Sequence, residues 1–172
     1  CSSLTSITIP DSVISIGDST FRICSSLTSV TIPNSVTSIS GSAFNGCGLT
    51  SVTIPDSVTS IDHGTFANCG SLSSVTIPNS VTSIGSCAFQ GCSLTSIAIP
   101  DSVTSIGESA FLWCGRLTSV FIPDSVTSIG NSAFSECSKL TDVYFGGATE
   151  EQWNKIAIAK GNEALLNATI HY

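Results

Sequence analysis

The stretch LTSVTIPNSVTSISGSAFNGC, residues Leu27–Cys47, holds the pattern on which the whole fold depends. Close variants of it start at five other leucines: Leu4, Leu49, Leu72, Leu94 and Leu117. The cysteines that close the copies lie 23 residues apart, except after Cys47 and Cys92, where one residue is missing and the gap is 22. A constant period of this length is typical of stacked supersecondary units and not of an ordinary globular fold.

Seven positions of the repeat are apolar throughout the copies, and one of them is always phenylalanine: Phe21, Phe44, Phe66, Phe89, Phe111 and Phe134. A unit of this length cannot bury so many apolar side chains by itself. If the units stack at ~4.8 Å, the spacing of strands in a sheet, each position becomes a continuous buried column. The sequence therefore predicts a solenoid with its core along the stacking axis.

Each repeat reads as two extended segments joined by turns. The segment L-x-x-V-x-I alternates with period two and is rich in β-branched residues, so it predicts a short strand of a parallel sheet. Proline then ends the strand, Pro-Asp-Ser or Pro-Asn-Ser turns the chain, and V-x-x-I returns along the far side. The segment A-F-x-x-C is predicted to form one helical or 3-10 turn that packing must stabilise. The repeat array of six to seven units is assigned to residues 1–145.

The full pattern, L-x-x-V-x-I-P-x-x-V-x-x-I-x-x-x-A-F-x-x-C, resembles the BspA-like type of bacterial leucine-rich repeat. The closing stretch FGGATEEQWNKIAIAKGNEALLNATIHY, residues 145–172, resembles the C-terminal cap of such arrays in secreted proteins of gut-dwelling Gram-positive bacteria. The resemblance implies a leucine-rich-repeat solenoid that is mainly β, with a parallel sheet face and a cap of helix plus strand. It also implies a secreted or cell-surface protein that adheres to macromolecules of host or neighbouring cells.

Residues 146–172 are predicted to cover the apolar end of the stack. Thr149 and Gln152 have the spacing of a capping box, which favours a helix that starts at this point. Three apolar residues follow at helical spacing: Trp153, Ile156 and Ala157. Gly161 is predicted to stop this helix, residues 168–172 to form a final strand, and Trp153 to be buried against the last coil. We expect the opposite end to be uncapped in this chain, so an otherwise monomeric protein could make end-to-end contacts there.

Composition excludes several functional classes. The chain has 172 residues, of which 41% are hydrophobic and only 10% charged, and its net charge is −7. This charge argues against nucleic-acid binding, and no apolar run is long enough to insert into a membrane. The chain contains no methionine and begins inside the repeat pattern, so we expect it to be a fragment or a processed form.

The residues that could support chemistry do not form a reactive set. Cysteines stacked in register would hold their Cβ atoms ~4.8 Å apart, beyond the ~3.5–4.5 Å of a disulfide, so buried thiols are predicted. Disulfides or a metal site remain less favoured alternatives, and Cys87 lies off the column as a partly exposed thiol. His63 and His171 are far apart in sequence, and no nucleophile motif accompanies them. No enzyme activity and no cofactor are predicted.

The outward positions of the predicted strands differ between the early and the late copies. The first four copies carry only serine and threonine there, whereas Phe121, Asp142 and Tyr144 occupy the same positions in the last two. Arg116 and Trp113 also replace small residues nearby. Exposed aromatic residues with charged neighbours are typical of binding hot spots, so these five residues are the predicted partner-binding site. The alternative is that the three aromatic residues pack against the cap.

The leading functional prediction is a non-enzymatic module that binds a protein or a glycan on host or neighbouring cells. The alternative is a structural spacer without a binding face, which the uniform Ser/Thr surface favours. The Ser-x-Thr rows also resemble ice-binding arrays, although mixed serine and threonine count against that function.

Overall fold

The computed structural model describes residues 3–172 and shows two parallel stacks of short strands, numbered here in chain order. The odd-numbered strands form the front sheet: β1 (Ser6–Thr8), β3 (Ser29–Thr31), β5 (Ser51–Thr53), β7 (Ser74–Thr76), β9 (Ser96–Ala98), β11 (Ser119–Ile122), β13 (Asp142–Phe145) and β15 (Thr169–His171). The even-numbered strands form the back sheet: β2 (Ser15–Ile16), β4 (Ser38–Ile39), β6 (Ser60–Ile61), β8 (Ser83–Ile84), β10 (Ser105–Ile106), β12 (Ser128–Ile129) and β14 (Ala157–Ile158). Corresponding residues pair in register, as in Val120 with Val143. The predicted solenoid is confirmed.

The phenylalanine column lies at the centre of the stack. Consecutive rings are stacked with their centroids 5.1 to 5.6 Å apart and their planes within 18° of parallel. The rings from Phe44 to Phe134 are fully buried, and only Phe21, in the first described coil, is partly exposed. Matching residues of successive copies therefore pack directly on one another, which is the geometric assumption behind the prediction.

The A-F-x-x-C segments form hydrogen-bonded turns that alternate between local and inter-coil bonds. The Asn45 N–H donates to the Ser42 carbonyl of the same coil (3.1 Å), and the Phe44 N–H donates to the Thr65 carbonyl of the next coil (2.9 Å). Two positions per coil are left-handed, with φ between 54° and 71°: Ser19, Ser42, Gly64, Cys87, Ser109 and Ser132 at the first, and Ile23, Gly46, Asn68, Gly91, Trp113 and Glu136 at the second. These left-handed residues keep the local turns from continuing into a helix.

The described cysteines are free thiols, as predicted from the column spacing. Each thiol from Cys47 onward on the column donates to the phenylalanine carbonyl one coil earlier, at 3.0 to 3.2 Å. Burial raises the pKa of Cys69 and of Cys114 to about 12, so these thiols stay protonated donors. Cys87 is half-buried and off the column, while Cys1 lies outside the described residues.

The cap begins with helix α1 (Glu150–Trp153), where Thr149 Oγ1 accepts a hydrogen bond from the Gln152 N–H at 3.3 Å. The prediction that this helix continues to Gly161 is wrong. It ends after one turn because the backbone of residues 157–158 instead pairs with β12 and extends the back sheet. Trp153 is buried and meets Phe145 edge to face at 5.4 Å, which confirms its predicted position.

A second helix, α2 (Glu163–Leu166), was not predicted. It precedes β15, the predicted final strand, which pairs with β13. Asn162, immediately before α2, is buried, and its Oδ1 accepts a hydrogen bond from the Phe134 N–H at 3.0 Å. In the coil before, the equivalent N–H of Phe111 donates to the next coil's Ala133 carbonyl at 2.8 Å. The asparagine side chain therefore satisfies the donor that a further coil would otherwise cover.

The front sheet is interrupted at two junctions, between β3 and β5 and between β7 and β9. These are the junctions with a 22-residue spacing, since one residue is missing after Cys47 and after Cys92. In the first shortened connection Gly48 is so close to the preceding coil that a Cβ would lie 2.3 Å from the Ser25 carbonyl oxygen. The shorter connection pulls the chain against its neighbour, and the strand that follows does not pair.

Two further features belong to the whole chain. None of the helices in residues 3–172 combines the length and apolar character needed to cross a membrane. In the first described coil the core residues Ile7, Val13 and Phe21 are only partly covered, and they help to line an open depression of about 250 Å³. The predicted end-to-end contact at this coil stays a prediction.

Candidate binding surface

The front sheet presents hydroxyl side chains over most of its length. The outward residues of β1, β3, β5 and β7 are serine and threonine, and all of them are exposed: Ser6, Thr8, Ser29, Thr31, Ser51, Thr53, Ser74 and Thr76. Register pairing places Ser51 beside Ser74 and Thr53 beside Thr76. This part of the face is polar, uncharged and free of aromatic groups.

The last strands of the same face carry larger side chains. Register pairing puts Phe121 of β11 next to Tyr144 of β13, and Tyr144 next to His171 of β15. Asp142 lies two residues before Tyr144 on the same face. These four residues, Phe121, Asp142, Tyr144 and His171, are called the aromatic patch below.

The aromatic rings pack partly against the cap and remain partly open to solvent. Tyr144 stacks on the His171 ring with a centroid distance of 4.7 Å and an interplanar angle of 16°, yet 46% of the tyrosine is exposed. Phe121 is half-buried and leans over the turn that follows β13, where its Cζ would lie 3.2 Å from a Cβ at Gly146. Packing on the cap therefore positions these rings without removing them from the surface.

Asp142 is held in its ionised form by two donors. His171 Nε2 lies 2.7 Å from Asp142 Oδ1, and the Thr141 hydroxyl donates to Oδ2 at 2.7 Å. The hydrogen bond from His171 is the larger cause that lowers the pKa of the Asp142 carboxyl below its usual value, and the bond from Thr141 adds to it. A carboxylate has about four acceptor positions, so it retains capacity for a donor from a partner.

His171 was missed as a site residue by the sequence reasoning. The final strand was predicted, but its register was not, because 27 residues separate Tyr144 from His171 whereas earlier strands follow at 22 or 23. The alternation of the terminal segment was the signal available. It showed that His171 lies on one face of a strand, but not which residue it would contact.

Two predicted site residues do not lie on the front sheet. Trp113 is 58% exposed, but it sits in the turns after β10, where its N–H donates to the Ser135 carbonyl at 3.0 Å. Arg116 is exposed in the connection that enters β11. The structure thus brings Phe121, Asp142 and Tyr144 together and leaves Trp113 and Arg116 in the turns and connection between the sheets.

Within residues 3–172, no group of three or more His, Cys, Asp or Glu side chains is arranged to hold a metal ion. The aromatic patch contains one carboxylate and one imidazole that are occupied with each other. Such a surface offers hydrogen bonds and ring contacts to a partner.

Comparison with family models gives the class of the protein. The model of the BspA type leucine rich repeat region matches residues 1–114 and 59–156, with six copies. These matches cover more than half of the chain, so the chain belongs to this family. A search of curated proteins found no match.

Solved structures with the same fold include bacterial leucine-rich repeat proteins. The T. pallidum leucine rich repeat protein is 28% identical, with a TM-score of 0.79 over 92% of this chain and 86% of that one. A leucine rich cell surface protein from Faecalibacterium prausnitzii is 27% identical, with a TM-score of 0.53 over 90% of this chain and 62% of that one. The chain therefore spans less than two thirds of the length of the Faecalibacterium protein. The chain is a leucine-rich repeat module of the kind found in bacterial surface-type proteins.

Proposed function

We propose that the chain is a non-enzymatic binding module of a secreted or cell-surface bacterial protein, and that the aromatic patch contacts a protein or a glycan on host or neighbouring cells. Membership of the BspA type repeat family and similarity to a cell surface protein support this assignment. The module is proposed to act as a monomer, without nucleic acid, membrane insertion or cofactor.

The observation that carries the proposal is the change of the front face at its C-terminal end. Four strands display small hydroxyl side chains, and then a half-exposed tyrosine, a half-buried phenylalanine and an ionised aspartate appear in adjacent strands. Aromatic residues in a partly exposed cluster with a charged neighbour are the composition of binding hot spots. Packing against His171 and Gly146 orders the rings before a partner arrives, which lowers the entropy lost on binding.

Arg116 and Trp113 are retained as candidates for a separate contact. Trp113 has a left-handed backbone, at a position that glycine occupies in two other coils. A large exposed side chain at such a position is unfavourable for the isolated coil, so a partner contact would give it a role.

The experiment restores the hydroxyl face at the patch. The double variant Phe121→Ser with Tyr144→Thr recreates the outward pair of the early strands, and Ser51→Thr with Ser74→Thr serves as a control on the same sheet. Binding of each purified chain to immobilised mucin, fibronectin and bacterial cell-wall polysaccharide is measured by biolayer interferometry. We expect the patch variant to lose about tenfold or more in affinity, equivalent to ~1.4 kcal/mol, and the control to bind as the parent does.

A structural spacer is the second candidate function, and the uniform hydroxyl surface from β1 to β7 favours it. A spacer binds none of the probes or binds them equally in the patch variant and the parent. Either result contradicts the binding proposal and supports the spacer.

A further inference from the structure

The interrupted junction between β3 and β5 forms a slot in the front sheet, with a volume of about 370 Å³. Its entry end is closed by a hydrogen bond from the Thr50 N–H to the Thr28 carbonyl at 3.3 Å. Its other end is closed beyond the turns, where the Ser57 hydroxyl donates to the Val36 carbonyl at 2.5 Å. Between these two bonds the strands have no register pair, in contrast to the three pairs that join β5 to β7. This part of the sheet, called the front slot, is a bounded concavity.

The walls of the front slot are polar and its floor is apolar. Four hydroxyl side chains line it: Ser29, Thr31, Ser51 and Thr53. The Asn34 amide adds a donor and an acceptor at the turn end, and Val30 lies in the floor. Val30 is half-buried, whereas the equivalent Val52 and Val120 of neighbouring coils are buried, so the open junction exposes core surface.

No charged residue lines the front slot. Backbone groups of two strands face each other there without forming a ladder, and hydroxyl groups can both donate and accept. A volume of this size, with an apolar floor and a few polar groups, is in the range of small-ligand sites. The lining therefore suits a ligand that is neutral, carries many hydroxyl groups and has an apolar face.

An inserted peptide strand does not fit this geometry. Adding a strand between β3 and β5 would require them to lie about 9.6 Å apart, which is twice the spacing of paired strands. Cα atoms of β3 and β5 approach within 8 Å of each other, and the Thr50–Thr28 hydrogen bond holds the entry end together. The slot admits a ligand placed across the surface and excludes one that pairs as a new strand.

We propose that the front slot between β3 and β5 binds neutral sugar residues of a glycan chain, through hydroxyl and backbone hydrogen bonds over the Val30 floor. The site is separate from the aromatic patch, which lies at the other end of the sheet. The inference therefore goes beyond the proposed function and does not depend on it.

The second interrupted junction repeats the same arrangement. β7 and β9 also follow at 22 residues, they carry Ser74, Thr76 and Ser96 outward, and Val75 beneath them is again half-buried. The two junctions lie two strand intervals apart, about 9.6 Å along the stack. A polymer with a short repeating unit can contact both, which a single small molecule cannot.

The test uses three neutral polysaccharides, dextran, mannan and a soluble β-glucan, with heparin as a charged comparison. Titration of the isotope-labelled chain is followed by amide chemical shifts, and a neutral polysaccharide is expected to shift residues 29–34 and 51–55. Inserting one serine after Cys47 restores the 23-residue spacing without removing any side chain, so it is expected to close the slot and abolish the shifts. The double variant Thr31→Val with Thr53→Val removes two hydroxyls at nearly constant volume and is expected to weaken binding about tenfold or more.

Two controls separate this site from its surroundings. Thr8→Val changes a hydroxyl of the same row outside the slot, and Phe121→Ser with Tyr144→Thr removes the aromatic patch; both are expected to leave polysaccharide binding unchanged. If the insertion variant does not fold, the two threonine variants decide the result. The proposal is overturned if no neutral polysaccharide shifts the slot residues, if heparin binds equally well, if the insertion leaves binding intact, or if an extended peptide binds there instead.

Discussion

The interior of the coil stack and the front sheet are built from the same repeats, but they differ in how strictly each position is kept. Inside, six phenylalanines stack without exception, and five of them are fully buried. Outside, the threonine row changes to alanine, phenylalanine, tyrosine and histidine within four strands. An inward side chain must match both neighbouring coils, whereas an outward side chain needs only to remain solvated. Variation is therefore concentrated where a partner could contact the chain.

The two regions also respond differently to the missing residue at each 22-residue junction. The phenylalanine rings cross the first junction at 5.6 Å, close to the spacing elsewhere, while the front ladder opens. The core column is continuous because its contacts tolerate small displacements, whereas hydrogen bonds between strands require aligned donors and acceptors. A one-residue change in a connection is thus converted into a local opening of the surface.

The largest expected effect comes from removing a ring in the interior. Phe66→Ala leaves a cavity between the stacked rings of Phe44 and Phe89 and is expected to lower the free energy of unfolding by about 3–5 kcal/mol. Urea denaturation measures this change. Phe21→Ala is the matched control, and it should cost clearly less because Phe21 is already partly exposed. Equal losses at the two positions would contradict the assignment of a continuous buried column.

A smaller effect is expected from lengthening the first short connection. One serine inserted after Cys47 gives this connection the length of the others, and the strand pairing that it allows should stabilise the fold by about 1–3 kcal/mol. Hydrogen exchange of the amides at residues 29–34 and 51–54 should slow at the same time. The same insertion after Cys24, where the spacing is already 23 residues, should destabilise the chain. Faster exchange after the Cys47 insertion would show that the short connection is not what opens the sheet.

The smallest expected effect concerns pH and the aromatic patch. Because the pKa of Asp142 is lowered in the fold, mainly by the bond from His171, its contribution is present above the unfolded pKa of about 3.8 and is lost as the pH falls through the folded value. Exchange of the β15 amides should therefore accelerate below about pH 4. Asp142→Asn should remove this acid dependence, while Asp124→Asn, in a turn between the sheets, should retain it. An identical pH profile in both variants would mean that the Asp142–His171 contact does not hold the terminal strand.

The regular part of the fold could be predicted because its information is repeated. The columns of apolar residues, the strand at L-x-x-V-x-I and the buried thiols follow from copies that align with one another. The cap is a single copy, and its errors follow from that. The helical spacing of Trp153, Ile156 and Ala157 suggested a longer helix, but the unpaired edge of β12 recruits residues 157–158 as a strand. Tertiary pairing therefore overrode the local pattern.

The candidate site was predicted in part for a similar reason. Phe121, Asp142 and Tyr144 stood out because the other copies show what is normal at their positions. His171 and Asn162 had no such comparison, and their roles depend on the path of the chain through α2. Trp113 was grouped with them by sequence proximity, although the turns carry it off the front sheet.

The sequence by itself determined that the coils stack, which side chains face inward and where the surface changes character, because one period is written repeatedly and each column must bury the same surface. Only the tertiary structure decided that His171 joins Tyr144, that Asn162 closes the last coil and that a missing residue opens the front sheet. Those outcomes depend on hydrogen-bond alignment between segments with no fixed separation along the chain, which no periodic pattern records.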